Sequence, residues 1–228
     1  MRKTPFIILI WVFAVVLFYF CLQSIDLEQA WNEFLKADPV WLFLAIFFNT
    51  CILGFWAALW RLLLPKNISV SFSRILQANS FMSTSCNTIP FPGGHAVGVM
   101  ALARRAEVGH TVALSVLALD QLMEGFAKVF VLTLVTIFVP LPDRMGQAIM
   151  VFVVLIGIFA LTMFYLAHKK LSVQENKETI SFAGQLKNFV SRWSVHLEVL
   201  RDFRIFSLGL LLALLMMFAQ TLGIWAVQ

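Results

Sequence analysis

Apolar residues fill this chain in long runs, and the polar positions fall mainly between them. A helix needs about 20 apolar residues to cross a bilayer core. Phe6–Leu22, Val40–Leu64, Thr111–Val139, Gln147–Ala167 and Ile205–Gln228 meet or approach that length and predict about five transmembrane helices. Arg2-Lys3 before the first run resembles a signal peptide. However, Phe18-Tyr19-Phe20-Cys21 offers no small-residue cleavage site, so the run reads as an uncleaved anchor. A further, mostly apolar stretch is interrupted by Pro90-Phe91-Pro92-Gly93-Gly94 and carries arginine at both ends. Regular helix cannot continue through that break, and irregular backbone at membrane depth is tolerated only where protein or water satisfies its polar groups. The simplest reading is a re-entrant helical hairpin over about 74–105. The predicted fold class is therefore all-α: a polytopic integral membrane protein in which 1–228 form a single transmembrane domain.

Two connecting stretches are amphipathic. Residues 24–38 place Leu27, Trp31, Phe34 and Leu35 on one side and acids on the other, with Asp26 positioned to cap a helix and Gln29 to reach back. Within about 170–204, Phe182, Leu186, Phe189, Trp193, Leu197 and Leu200 recur every three or four residues, with Lys187, Arg192, Arg201 and Arg204 between or beyond them. That pattern fits a helix lying on an anionic leaflet, and it fits equally a surface helix packed on the protein's own loops.

Composition agrees with the membrane reading. The chain is 61% hydrophobic and 13% charged, far from the roughly 25% charge of soluble domains. Its net charge of +5 reads as cytoplasmic-loop bias and attraction to anionic lipid, not as a nucleic-acid groove. With the N-terminus cytoplasmic, 14 Lys and Arg fall inside and only Lys36 and Arg144 outside, with Lys128 in a span. This distribution holds only if residues 75–102 do not cross. Cys21, Cys51 and Cys86 lack metal spacing and read as small apolar residues, so neither metal nor cofactor is expected.

Candidate chemistry falls in two places. Asn79, Ser80, Ser83, Thr84, Ser85, Asn87 and Thr88 crowd the first half of the hairpin, more than bonding back to helix carbonyls needs, and imply a wet cavity. After the break, a second half-helix starting near Gly93-Gly94 would point free N–H groups at a phosphate or carboxylate. Glycine there would let a headgroup approach the backbone. The competing reading is a tight turn packed on its neighbours with no ligand. His95, beside the break, is either a phosphate partner or a packing residue. The second place is Asp120, Glu124 and Lys128, whose spacing of four puts them on one face of a span. A charge near the bilayer centre costs roughly 2.5–3.5 kcal/mol, so that face must meet protein or water. Glu124 and Lys128 can pair as i,i+4 neighbours. Asp120 then lacks a local partner, which Arg61 or a hairpin donor could supply. The competing reading is an ion-pair network that only fixes packing. Gln220 reads as interhelical glue.

The run Asn87-Thr88-Ile89-Pro90-Phe91-Pro92-Gly93-Gly94, followed by Gly98, Gly109 and Asp120-Gln121-Leu122-Met123-Glu124-Gly125, resembles the lysylphosphatidylglycerol synthase transmembrane region, also called the flippase-like or UPF0104 family. That resemblance implies a helical membrane protein with re-entrant helices that moves or binds lipid in the inner membrane of a prokaryote. The headgroup of an anionic phospholipid or lipid-linked substrate would sit at Asn87, Pro90, Pro92, Gly93, Gly94 and His95, with Asp120, Glu124, Lys128 and Arg61 as intramembrane charges. Many relatives carry an acidic residue, often followed by a basic one, soon after the glycines; residues 95–100 here supply neither. Gln121 stands where relatives often have Arg, and Glu124 where they often have Asp. Relatives are also usually longer, so a chain ending at Gln228 reads as an incomplete member. The synthase's soluble aminoacyl-transfer domain is absent, and its activity is not inherited. Implied partners are the lipid, the membrane, and either a lipid-biosynthesis enzyme or a second copy of the chain. The alternatives are a membrane-embedded transferase and an accessory protein of lipid or glycolipid biosynthesis.

Overall fold

The computed structural model describes residues 15–16, 18–20, 23, 26–36, 38–89, 93–138, 142–168 and 202–227. Those residues form seven helices and no strand: α1 (Leu27–Lys36), α2 (Pro39–Leu63), α3 (Phe72–Thr88), α4 (Gly93–Arg105), α5 (His110–Phe138), α6 (Asp143–His168) and α7 (Phe203–Trp225). Four are long and apolar enough to cross a membrane: α2, α5, α6 and α7. They correspond to four of the five expected spans. Most of the first expected span, and nearly all of the amphipathic stretch before α7, lie outside the described residues.

Local chemistry sets the helix ends. Asp38 caps α2 by accepting the Val40 N–H at 2.8 Å, and Pro39 occupies the first turn, where its missing N–H costs nothing. Leu64 is extended before Pro65, which disfavours helical backbone in the residue preceding it. Ile89 ends α3 in extended backbone before Pro90 for the same reason. Asp26 accepts the N–H groups of Glu28 and Gln29, both at 3.0 Å, and starts α1 as the sequence predicts. Asp202 caps α7 through the Arg204 N–H at 3.1 Å.

The hairpin of α3 and α4 packs on α2 through α3 and on α5 through α4. Glycine makes its close packing possible. A Cβ on Gly94 would lie 2.5 Å from the Cys86 Cα, and one on Gly98 would lie 2.5 Å from the Met82 Sδ. Arg74 donates to Glu107 at 3.0 Å and Arg105 to Gln77 at 2.8 Å, which ties the open end of the hairpin. The Arg105 guanidinium also sits 4.8 Å from the Phe81 ring centroid. Glu107 itself has φ 55°, a left-handed turn residue between α4 and α5.

The most extensive helix contact joins α2 to α7. Gly209, Ala213, Ala219 and Gly223 are the buried residues of α7, and such small side chains let membrane helices approach closely. The core gathers Leu59, Trp60 and Leu63 of α2, Ile75 and Met82 of α3, Leu102 of α4, and Leu119, Leu122 and Met123 of α5. Phe43, Ile46, Phe130, Ile137 and Phe138 point outward, as lipid-facing side chains of spans do.

Candidate functional site

Asp120 is buried in the third turn of α5, and it is held from α2. The Trp56 indole N–H reaches both carboxylate oxygens, at 3.1 Å and 3.2 Å. Trp60, one turn further along α2, packs edge-on against Trp56 with ring centroids 5.8 Å apart. Its own indole N–H is buried without a hydrogen-bond partner among the described residues. Spacing of four on α2 puts both indoles on the face that meets α5. Gln121 links the carboxylates of α5: its amide Nε2 lies 3.5 Å from Asp120 Oδ2 and 3.3 Å from Glu124 Oε2. Glu124 in turn pairs with Lys128 at 2.6 Å, the expected i,i+4 bridge. The constellation is therefore a carboxylate held by neutral donors, joined through an amide to a neighbouring ion pair. Among the described residues no cation forms an ion pair with Asp120.

Arg61 does not serve Asp120. It is exposed in the last turn of α2 and lines a separate cavity with Lys66, Asp202 and Arg204. The expectation that Arg61 or a hairpin donor completes Asp120 is corrected to an indole of α2. The physical reason is register: Arg61 lies five residues past Trp56, which on a helix turns it to a different face.

In the hairpin, several of the predicted polar residues bond within their own helix. Ser80, Thr84 and Thr88 donate to the carbonyls of Leu76, Ser80 and Thr84, at 2.9, 2.9 and 2.7 Å. Asn87 is exposed. Asn79 is the exception: it is fully buried, and both its amide oxygen and its amide nitrogen lack a partner among the described residues. Gly94 is buried, and the side where a Cβ would stand is occupied by Cys86 backbone, so its missing side chain lets α3 and α4 pack closely. Gly93 is half-buried, and a Cβ there would lie 2.5 Å from the Cγ2 of Ile89, whose β-branched side chain is stiff. Gly93 opens α4, whose first N–H groups lack intrahelical carbonyl partners. His95 Nδ1 lies 3.7 Å from the Cys86 Sγ, across the hairpin. Pro90 and Pro92 lie outside the described residues. No hydrogen bond or ion pair joins Asp120 or Glu124 to the hairpin among the described residues, so the two predicted clusters are separate.

Trp56, Trp60 and the core position of Asn79 went unrecognised in the sequence. Tryptophan on an apolar helix reads as a lipid-facing or interfacial residue, and only its facing helix distinguishes a hydrogen-bond donor to a buried acid.

Neither the curated proteins nor the solved structures contain a match to the chain. Over residues 6–228 the chain matches the family described as lysylphosphatidylglycerol synthase TM region, and it belongs to that family.

Proposed function

We propose that the protein binds the headgroup of an anionic phospholipid or lipid-linked substrate and carries it between membrane leaflets. Family membership supports the lipid part of this reading, since it places the chain among membrane proteins of lipid-related processes. The observation that carries the translocation part is Asp120. A buried acid in a span is costly, and such residues mark substrate and ion pathways. Here it is satisfied by Trp56 and linked through Gln121 to the Glu124–Lys128 pair, a polar track along one helix face. The start of α4 at Gly93 supplies N–H groups able to hold a phosphate, beside the exposed Asn87. In this scheme the cytoplasmic side carries the N-terminus and most of the basic residues.

The deciding experiment is flipping of headgroup-labelled lipids in proteoliposomes, with anionic, zwitterionic and aminoacylated lipids compared. Glu124→Gln breaks the ion pair while keeping the side chain's shape. Gly93→Leu fills the first turn of α4, where its Cβ meets the Ile89 Cγ2, so folding of this variant is checked before flipping is read. Both variants are expected to slow flipping. Undiminished flipping by the two together removes the mechanism, and no flipping by folded wild-type protein replaces translocation with an enzymatic or accessory role.

A further inference from the structure

The end of α2, the loop of residues 64–71 and the start of α7 line a partly open cavity of about 520 Å³. Its size falls within the roughly 300–1,000 Å³ of small-molecule sites. Arg61, Lys66 and Arg204 line it, and Asp202 is its single acid among the described residues. Asp202 lies 3.4 Å from Lys66 and is matched to it. Slight burial pushes the Asp202 carboxyl upward, but hydrogen bonds from Lys66 and from the Ile205 and Arg204 N–H groups outweigh that and hold it below its usual value. The acid therefore stays ionised and spoken for, while Arg61 and Arg204 have no counter-charge among the described residues. Two arginines lining one cavity suit an oxyanion with several acceptor oxygens, above all a phosphate.

Apolar surface continues from this charged pocket. Ile68 and Leu208 form part of its wall. Leu208, Leu211 and Leu215 are exposed and spaced three and four apart, so they make one apolar strip that climbs α7 from the cavity into the span. A free phosphate has no use for such a strip, whereas an acyl chain lies along it.

We infer that this cavity binds an anionic glycerophospholipid of the adjoining leaflet, with its phosphate between Arg61 and Arg204 and an acyl chain along Leu208, Leu211 and Leu215. This site is separate from the Asp120 constellation and stands whether or not the protein moves lipid.

The test is lipid retention by the purified full-length chain in neutral detergent, read by native mass spectrometry after exchange with phosphatidylglycerol or phosphatidylcholine. Wild-type protein is expected to keep phosphatidylglycerol preferentially. The double variant Arg61→Gln/Arg204→Gln is expected to lose about tenfold or more of that retention. Asp202→Asn acts in the opposite direction: asparagine still caps α7, Lys66 is released, and retention should rise roughly threefold. This second variant decides the matter if the double variant aggregates. Equal retention of the two lipids, or an unchanged or lowered signal with Asp202→Asn, overturns the inference. Displacement by excess inorganic phosphate as readily as by short-chain phosphatidylglycerol also overturns it, since the cavity would then be a plain anion site.

Discussion

Gly94→Ala tests whether the hairpin owes its closeness to missing side chains. The added Cβ would meet Cys86 at 2.5 Å from Cα, 2.7 Å from N and 2.9 Å from Sγ. Two of those atoms are backbone and cannot rotate away. Restoring an ordinary carbon contact of about 3.5 Å requires α3 and α4 to part locally by about 1 Å. Overpacking of this kind costs typically 1–3 kcal/mol, and the rigid obstacle places it near the upper end. Alanine returns about 1 kcal/mol as the better helix former, leaving a net loss of about 2 kcal/mol. For a chain of this size that corresponds to a fall in melting temperature of about 4–8 °C. Gly54→Ala is the matched control, because nothing lies within 4 Å of its added Cβ, so only the helix gain of up to about 1 kcal/mol remains. Melting can be followed by size-exclusion recovery of detergent-solubilised protein after heating. If Gly94→Ala melts at or above Gly54→Ala, the packing argument for the hairpin is wrong.

Trp56→Phe keeps the ring but removes the donor from both oxygens of Asp120, and should cost about 1.5–3 kcal/mol. In the Asp120→Asn background the same change should cost clearly less, and equal losses in both backgrounds would deny the coupling. Asn79→Leu replaces two amide atoms that are unsatisfied among the described residues by an apolar side chain, each such atom costing about 1–3 kcal/mol, so thermal stability should hold or rise. A melting temperature lowered by this change would show that Asn79 is satisfied within the fold. Glu107→Gly relieves a left-handed residue of roughly 1–2 kcal/mol but adds chain entropy and loses an exposed pair with Arg74 worth about 0.2–1 kcal/mol. Its stability should stay within about 1 kcal/mol of wild type, whereas Glu107→Val should melt lower than Glu107→Gly.

The spans were legible because their ends carry local chemistry. Asp38-Pro39, Pro65 and Asp202 bound α2 and α7 within a few residues of where hydropathy places them. The α3–α4 hairpin was equally legible, since Ile89 must leave the helix before Pro90. The Glu124–Lys128 pair follows from spacing alone. Less legible was everything that depends on which face meets which. Trp56 and Asp120 are 64 positions apart, and no periodicity relates them. The glycines showed the same limit. A missing Cβ announces a close approach, but only the fold shows that Cys86 and Met82 of the same hairpin stand opposite Gly94 and Gly98.

The pairing of α2 with α7 has a consequence for biosynthesis. About 140 residues separate the end of α2 from the start of α7, which at about 5–20 residues per second is roughly 7–28 s of synthesis. The hairpin, and the bond from Trp56 to Asp120, lie wholly within residues 39–138 and can form before α7 emerges. During that interval Ala45, Asn49 and Leu59, which receive Gly223 and Gly209 in the finished protein, lack their α7 partners. Helix α7 therefore closes, long after α2 is made, a seam that α2 leaves open, which makes its arrival a step exposed to misassembly.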